Sequence, residues 1–265
     1  MAADRPVRRY LIGMSTKMYF GHARTLQWCR GVVELSRAHP AVLEGRAELF
    51  VLPSFLSVAE VVSLLDSAGS AGAHWSVGAQ DVCWAEEGAY TGEVSAAQLA
   101  EVGVRCVEVG HAERRRLFGE DDDVVAAKTA AILRHGLTPV LCIGETELMD
   151  SAAAVEVCLA QITAALGPAR ATGCFGRVVV AYEPVWAIGA SEPASVEHIV
   201  GVCGPLRAAL ASDPDYVGDV IYGGSAGPGL LRKVGEQVDG LFLGRFAHDP
   251  QAIRGILDDV LALAT

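Results

Sequence analysis

Short apolar runs alternate with longer stretches of helical periodicity along the whole chain. Runs of β type fall at Tyr10 to Ile12, Leu49 to Leu52, Trp75 to Val77, Arg105 to Val109, Thr138 to Ile143, Arg177 to Tyr182, Asp219 to Tyr222 and Gly240 to Leu243. Between them, Ala23 to Ala38, Val58 to Ala68, Ala126 to Arg134, Ala152 to Leu166, Ser195 to Ala211 and Pro250 to Leu263 carry apolar residues at helical spacing. The runs VVVAY, LFVL and PVLCI are almost continuously apolar, as parallel strands buried on both faces are. Alternating strand and helix units over 265 residues predict an α/β fold in one domain, residues 1–265, closed as a (β/α)8 barrel, with a doubly wound open sheet as the alternative. No linker rich in Pro, Gly or Ser divides the chain.

A barrel makes a statement about function, because its chemistry sits where strands end and βα loops begin. The polar residues just past the apolar runs are Ser15 and Lys17, Gln80, His111 and Glu113, Glu145, Glu183, the Gly223-Gly224-Ser225 turn, and Gly244 with Arg245. A histidine at an arbitrary position is more often structural, but His111 directly follows the run RCVEV and Glu183 follows VVVAY. A carboxylate at such a mouth is a candidate base. The two glycine-containing turns after the seventh and eighth runs offer backbone donors and helix N-termini to a phosphate. The segment Ser191-Glu192-Pro193-Ala194-Ser195 is expected to cap the helix after the sixth run, which leaves Pro184 to Ala194 as a candidate lid.

Composition narrows the partners. A formal charge of −11 argues against nucleic acid and anionic membranes, while a local donor cluster still suits a small anionic ligand. Seven scattered cysteines without a CxxC indicate neither a disulfide framework nor a zinc knuckle, and the N-terminal MAADRPVRR does not read as a secretion signal, so a cytoplasmic location is expected. Neither a metal-ligand cluster nor a dinucleotide fingerprint stands in the sequence, so no cofactor or metal is expected.

Lys17-Met18, Gly78-Ala79-Gln80, Thr91-Gly92-Glu93, GHAERR from Gly110, CIGE from Cys142, AYEPVWAIG from Ala181, YGGS from Tyr222 and the final DGLFLG resemble, in order, the signature blocks of the triosephosphate isomerase family. The resemblance implies a TIM barrel isomerase acting on a small phosphorylated sugar. It implies Glu183 as base, His111 as neutral electrophile and Lys17 as the positive charge, supported by Glu113. It further implies that backbone amides of Gly189, Ser225, Gly244 and Arg245 hold the phosphate, and that the loop carrying Thr91 enters a second subunit of a homodimer.

Several positions depart from the usual family pattern. Ser15-Thr16-Lys17 stands where Asn-Trp-Lys is usual, Gly244-Arg245 where Gly-Gly is usual, Ala112 where serine is usual, and AIGASEPAS where the lid usually reads AIGTGKTAT. Ser15, Trp84 and Arg245 are similar to the branch acting on erythrulose phosphates. Ser15 removes side-chain volume that an extra hydroxymethyl group needs, and Arg245 adds a fork of donors. The expected reaction is therefore interconversion of L-erythrulose 1-phosphate and D-erythrulose 4-phosphate, with the triose phosphate reaction as the alternative. A Schiff-base aldolase using Lys17 and a phosphosugar-binding protein without turnover are the readings of other classes.

Overall fold

The computed structural model describes residues 8–69 and 74–263. Among these, eight parallel strands close in chain order: β1 (Tyr10–Ser15), β2 (Ala47–Leu52), β3 (Trp75–Ala79), β4 (Cys106–Val109), β5 (Thr138–Ile143), β6 (Gly176–Tyr182), β7 (Tyr216–Tyr222) and β8 (Gly240–Leu243), which pairs back to β1. The helices are α1 (His22–Arg37), α2 (Pro40–Leu43), α3 (Val58–Ser67), α4 (Ala96–Glu101), α5 (Ala112–Phe118), α6 (Asp122–Arg134), α7 (Ser151–Ala171), α8 (Val196–Ala211), α9 (Leu230–Val234) and α10 (Pro250–Ala262). The architecture is the expected (β/α)8 barrel rather than the open sheet.

Strand alternation sorts side chains between two cores. One parity packs outward against the helices in a large apolar layer. The other fills the barrel with Leu11, Phe50, Cys106, Val140, Val179 and Phe242 among others, and the Phe50 and Phe242 rings stack with centroids 5.8 Å apart. Gly13 is bare because a Cβ there would overlap the Phe50 ring. Followed toward the C-terminal ends, the inward rows run from Leu11 to Ser15, Cys106 to Glu108, Val179 to Glu183, and Ile221 to Gly223. The same alternation that packs the core therefore aims these four residues at the mouth.

Several boundaries and short elements differ from those read from periodicity. Helix α6 begins at Asp122 because Asp121 caps it, its carboxylate accepting the Val124 N–H at 2.9 Å. Strand β7 begins at Tyr216 rather than Asp219, because Tyr216, Val217 and Gly218 pair with Gly176, Arg177 and Val178 of β6, and Asp219 is ion-paired to Arg177 at 2.7 Å. The short helices α4 and α5 have under two turns, too few for a periodic signal. Ser195 caps α8 as expected, accepting the His198 N–H.

Candidate active site

A cavity of about 1010 Å³ opens at the C-terminal mouth, and Ser15, Lys17, His111, Glu113, Glu183, Gly189, Ser225, Gly244 and Arg245 all line it. Thr91 does not: it is exposed in the loop after β3. Lys17 (φ 45°) and Ser225 (φ 54°) are, among the described residues, the two non-glycine residues with left-handed backbone. Such conformations persist only where surroundings enforce them. For Lys17 the enforcement is visible, because the Gln80 side-chain amide donates to the carbonyls of Leu52 (2.9 Å) and Lys17 (3.1 Å).

His111 is the N-cap of α5, and its Nδ1 accepts the Glu113 backbone N–H at 3.1 Å. A ring nitrogen that accepts carries no proton, so the imidazole is neutral and its hydrogen is on Nε2. The Lys17 ammonium lies 3.1 Å from Nε2. Both groups are then donors, and the pair is a convergence of two N–H groups on one small volume rather than a hydrogen bond. That arrangement suits an oxyanion. Burial alone would lower the Lys17 pKa, but Glu183, Glu113 at 2.9 Å and Glu108 outweigh it and hold the ammonium form above its usual range. Burial likewise acts to raise Glu113, and the Lys17 hydrogen bond and charge reverse this and lower it.

The Glu183 carboxylate enters the same volume, its Oε2 3.4 Å from His111 Nε2. That oxygen is buried without a hydrogen-bond partner, which leaves its lone pairs free for a proton on carbon. Gly223 makes the room: a Cβ there would fall 2.6 Å from Glu183 Cγ and overlap Oε1.

Pro184 to Ala194 lies across the cavity, tied down from several sides. Ser225 Oγ donates toward the carbonyls of Ala187 (3.1 Å) and Ala190 (2.9 Å), Tyr222 Oη accepts the Ala194 N–H (3.0 Å), and the Trp186 indole N–H donates to Glu145 (2.8 Å). The Arg245 guanidinium reaches the Gly189 carbonyl at 3.1 Å, so it spans from the last turn to the lid rather than pointing away. Among the described residues, the backbone N–H groups of Gly189, Ser225 and Gly244 donate to no protein acceptor, and all three residues line the cavity. No group of three His, Cys, Asp or Glu side chains among the described residues is arranged to hold a metal ion.

Glu108 escaped the sequence reading. It is 4% exposed on β4, with Oε2 3.3 Å from Ser15 Oγ and Oε1 4.0 Å from His111 Nε2. Burial in the barrel wall, reinforced by the Glu183 charge, pushes its carboxyl up to about 7 against the pull of the Lys17 charge and the Ser15 hydrogen bond. The available signal was a lone acid amid apolar neighbours in RCVEV, three residues before His111. Gly223 was singled out as part of a phosphate turn, whereas its missing side chain serves Glu183. Lys128 is buried on α6 and bonds Asp81 and Glu120, each at 2.6 Å, in a network outside the cavity lining.

Comparison with known proteins agrees with this geometry. The triosephosphate isomerase family profile matches residues 10–260. An L-erythrulose-1-phosphate isomerase of Pectobacterium atrosepticum is 49% identical, covering 97% of this chain and 98% of its own. A triosephosphate isomerase of Mycobacteroides abscessus is 38% identical, over 91% and 93% of the two chains. An L-erythrulose-1-phosphate isomerase of Rhizobium rhizogenes is 37% identical, over 94% and 93%. With a closed eight-stranded barrel, a carboxylate and imidazole at two strand exits, and a family match over nearly its whole length, the chain belongs to the triosephosphate isomerase family.

Proposed function

We propose that this sugar-phosphate isomerase interconverts L-erythrulose 1-phosphate and D-erythrulose 4-phosphate, with Glu183 as the base, and that it works as a homodimer. The convergence of Glu183 Oε2, His111 Nε2 and Lys17 Nζ under a tethered lid carries the mechanism. In L-erythrulose 1-phosphate the carbonyl is at C2 and the acidic hydrogen at C3. Glu183 takes the C3 proton, and the electron pair left behind forms a C2–C3 enediolate. The Nε2–H of His111 and the Lys17 ammonium stabilise the oxygen charge, which is worth far more in a site closed to water. The hydroxyl proton on O3 passes to O2 by way of His111, and return of the proton from Glu183 to C2 leaves the carbonyl at C3 and completes the exchange. No atom is gained or lost. The free N–H groups of Gly189, Ser225 and Gly244 are placed to hold the phosphate.

Two observations support the four-carbon substrate. Relatives at 49% and 37% identity bear that activity in their names, and Ser15 supplies space beside the reacting carbons. The triose phosphate reaction is the alternative, since a relative at 38% identity is a triosephosphate isomerase. Lys17 argues against Schiff-base chemistry, because its neighbours hold it as the ammonium.

Turnover of L-erythrulose 1-phosphate and D-glyceraldehyde 3-phosphate, measured side by side, tests the substrate. The tetrulose phosphate is expected to give the higher kcat/KM, and the reverse order would overturn the assignment. Glu183→Gln is expected to lower kcat on either substrate about a thousand-fold with little change in KM.

A further inference from the structure

The residues that hold the reacting oxygens leave one question of recognition open. A four-carbon ketose phosphate carries, on the carbon that loses its proton, a hydroxymethyl group that a triose phosphate lacks. That group brings a hydroxyl into a dry cavity, where an unpaired hydroxyl is costly. Space alone, as Ser15 provides, does not satisfy it.

Ser15 and Glu108 face each other across the barrel from β1 and β4, both 4% exposed, and Ser15 Oγ donates to Glu108 Oε2 at 3.3 Å. The same carboxyl has Cys142 Sγ 3.9 Å from Oε1 and His111 Nε2 at 4.0 Å. A serine hydroxyl has one hydrogen to donate and two lone pairs. With its hydrogen committed to Glu108, Ser15 presents lone pairs to the cavity that it lines. It is therefore a poor partner for a carbonyl or enediolate oxygen, which needs a donor, and a good one for an alcohol.

We propose that the Ser15–Glu108 pair is the subsite for the hydroxyl of the substrate's terminal hydroxymethyl group, Ser15 Oγ accepting its hydrogen bond and Glu108 positioning Ser15 as an acceptor. Glu108 acts through Ser15 and is a positioning residue. The inference rests on the four-carbon reading above, and adds to it the groups that read the fourth carbon.

A double-mutant cycle on substrate preference tests it. The ratio of kcat/KM for L-erythrulose 1-phosphate over D-glyceraldehyde 3-phosphate is measured for the wild type, Glu108→Leu, Ser15→Ala and the double variant. Glu108→Leu replaces a buried carboxyl by an apolar side chain of similar length, and Glu108→Gln, which keeps an acceptor for the Ser15 hydroxyl, serves as the conservative control. Each of the Leu and Ala variants is expected to lower the ratio about ten-fold, mainly through the tetrulose KM. The double variant is expected to fall no further, and Glu108→Gln to retain most of the preference. A ratio unmoved by Glu108→Leu, or losses that multiply in the double variant, would overturn the coupling while leaving the substrate assignment intact. A wild type that prefers the triose phosphate would overturn the assignment and the subsite together.

Discussion

Glu108 is an acid where burial favours the neutral form, and this has a consequence for stability that can be separated from catalysis. Its carboxyl titrates near 7 in the folded protein against 4.5 for the free side chain. Between those values the folded state holds a proton that the unfolded chain has released, so the contribution of Glu108 is most favourable below pH 4.5 and is lost as pH rises through 7. Glu108→Gln removes that dependence. Chemical denaturation is expected to show the variant and wild type converging near pH 4.5, and the variant more stable by roughly 3 kcal/mol at pH 8. Equal differences at both pH values would mean that Glu108 is solvated or firmly ion-paired. Gly223 makes the complementary point, since what matters there is a missing atom. Gly223→Ala puts a Cβ where Glu183 now lies. The expected result is a kcat about a hundred-fold lower with an unchanged circular dichroism spectrum, because displacement of a reacting group by an ångström is enough. Neither role could be read from the residue in sequence. RCVEV shows an acid in a strand and YGGS shows a turn, but no local pattern states which side chain waits across the barrel.

The lid is an element whose position depends on others. Its tethers come from the turn after β7 (Ser225), from β7 itself (Tyr222), from the turn after β8 (Arg245) and from the loop after β5 (Glu145). Closure therefore depends on groups remote in sequence from AIGASEPAS, which makes closure separable from the lid's own composition. Tyr222→Phe leaves the buried Ala194 N–H without its acceptor in the closed position, at a cost of about 1–3 kcal/mol. A lid held less firmly exposes the enediolate, whose phosphate is one bond from the reacting carbons and can leave by β-elimination. The variant is expected to release inorganic phosphate during turnover at several times the wild-type proportion, read in a coupled phosphate assay. Unchanged phosphate release with full kcat would show that the other tethers suffice. Such longer elements were legible from composition: continuous apolar runs marked most strands, and Ser195 marked the start of α8. The start of β7 was hidden because Tyr216, Val217 and Gly218 are fixed by pairing with β6, which periodicity along one segment does not reveal.

At the scale of the molecule, the order of strands and the gathering of Lys17, His111, Glu183 and the two glycine-containing turns at one mouth were legible, because barrel closure follows from repeated strand and helix units and places every strand exit at the same end. What lies beyond one chain was not. Thr91 is exposed and does not line the cavity, so in the proposed homodimer its influence on catalysis would pass through the second copy. Met18 is 98% exposed, and Tyr19, Trp84 and Tyr90 are also substantially open, on the loops after β1 and β3. Grouped exposed apolar side chains of this kind are what a contact surface for the proposed second copy would use. Met18 adjoins Lys17, whose left-handed backbone needs support, so a partner pressing on this loop would steady the catalytic cation. Analytical ultracentrifugation is expected to find a species of twice the 27.8 kDa chain mass. Thr91→Arg, which forces a charge into that contact, is expected to yield a folded monomer with kcat lowered about a hundred-fold, because Lys17 is then less firmly placed. A monomer of full activity would show that Gln80 and the barrel alone hold Lys17 in place, and would leave Met18 and Trp84 without a catalytic reason for their exposure.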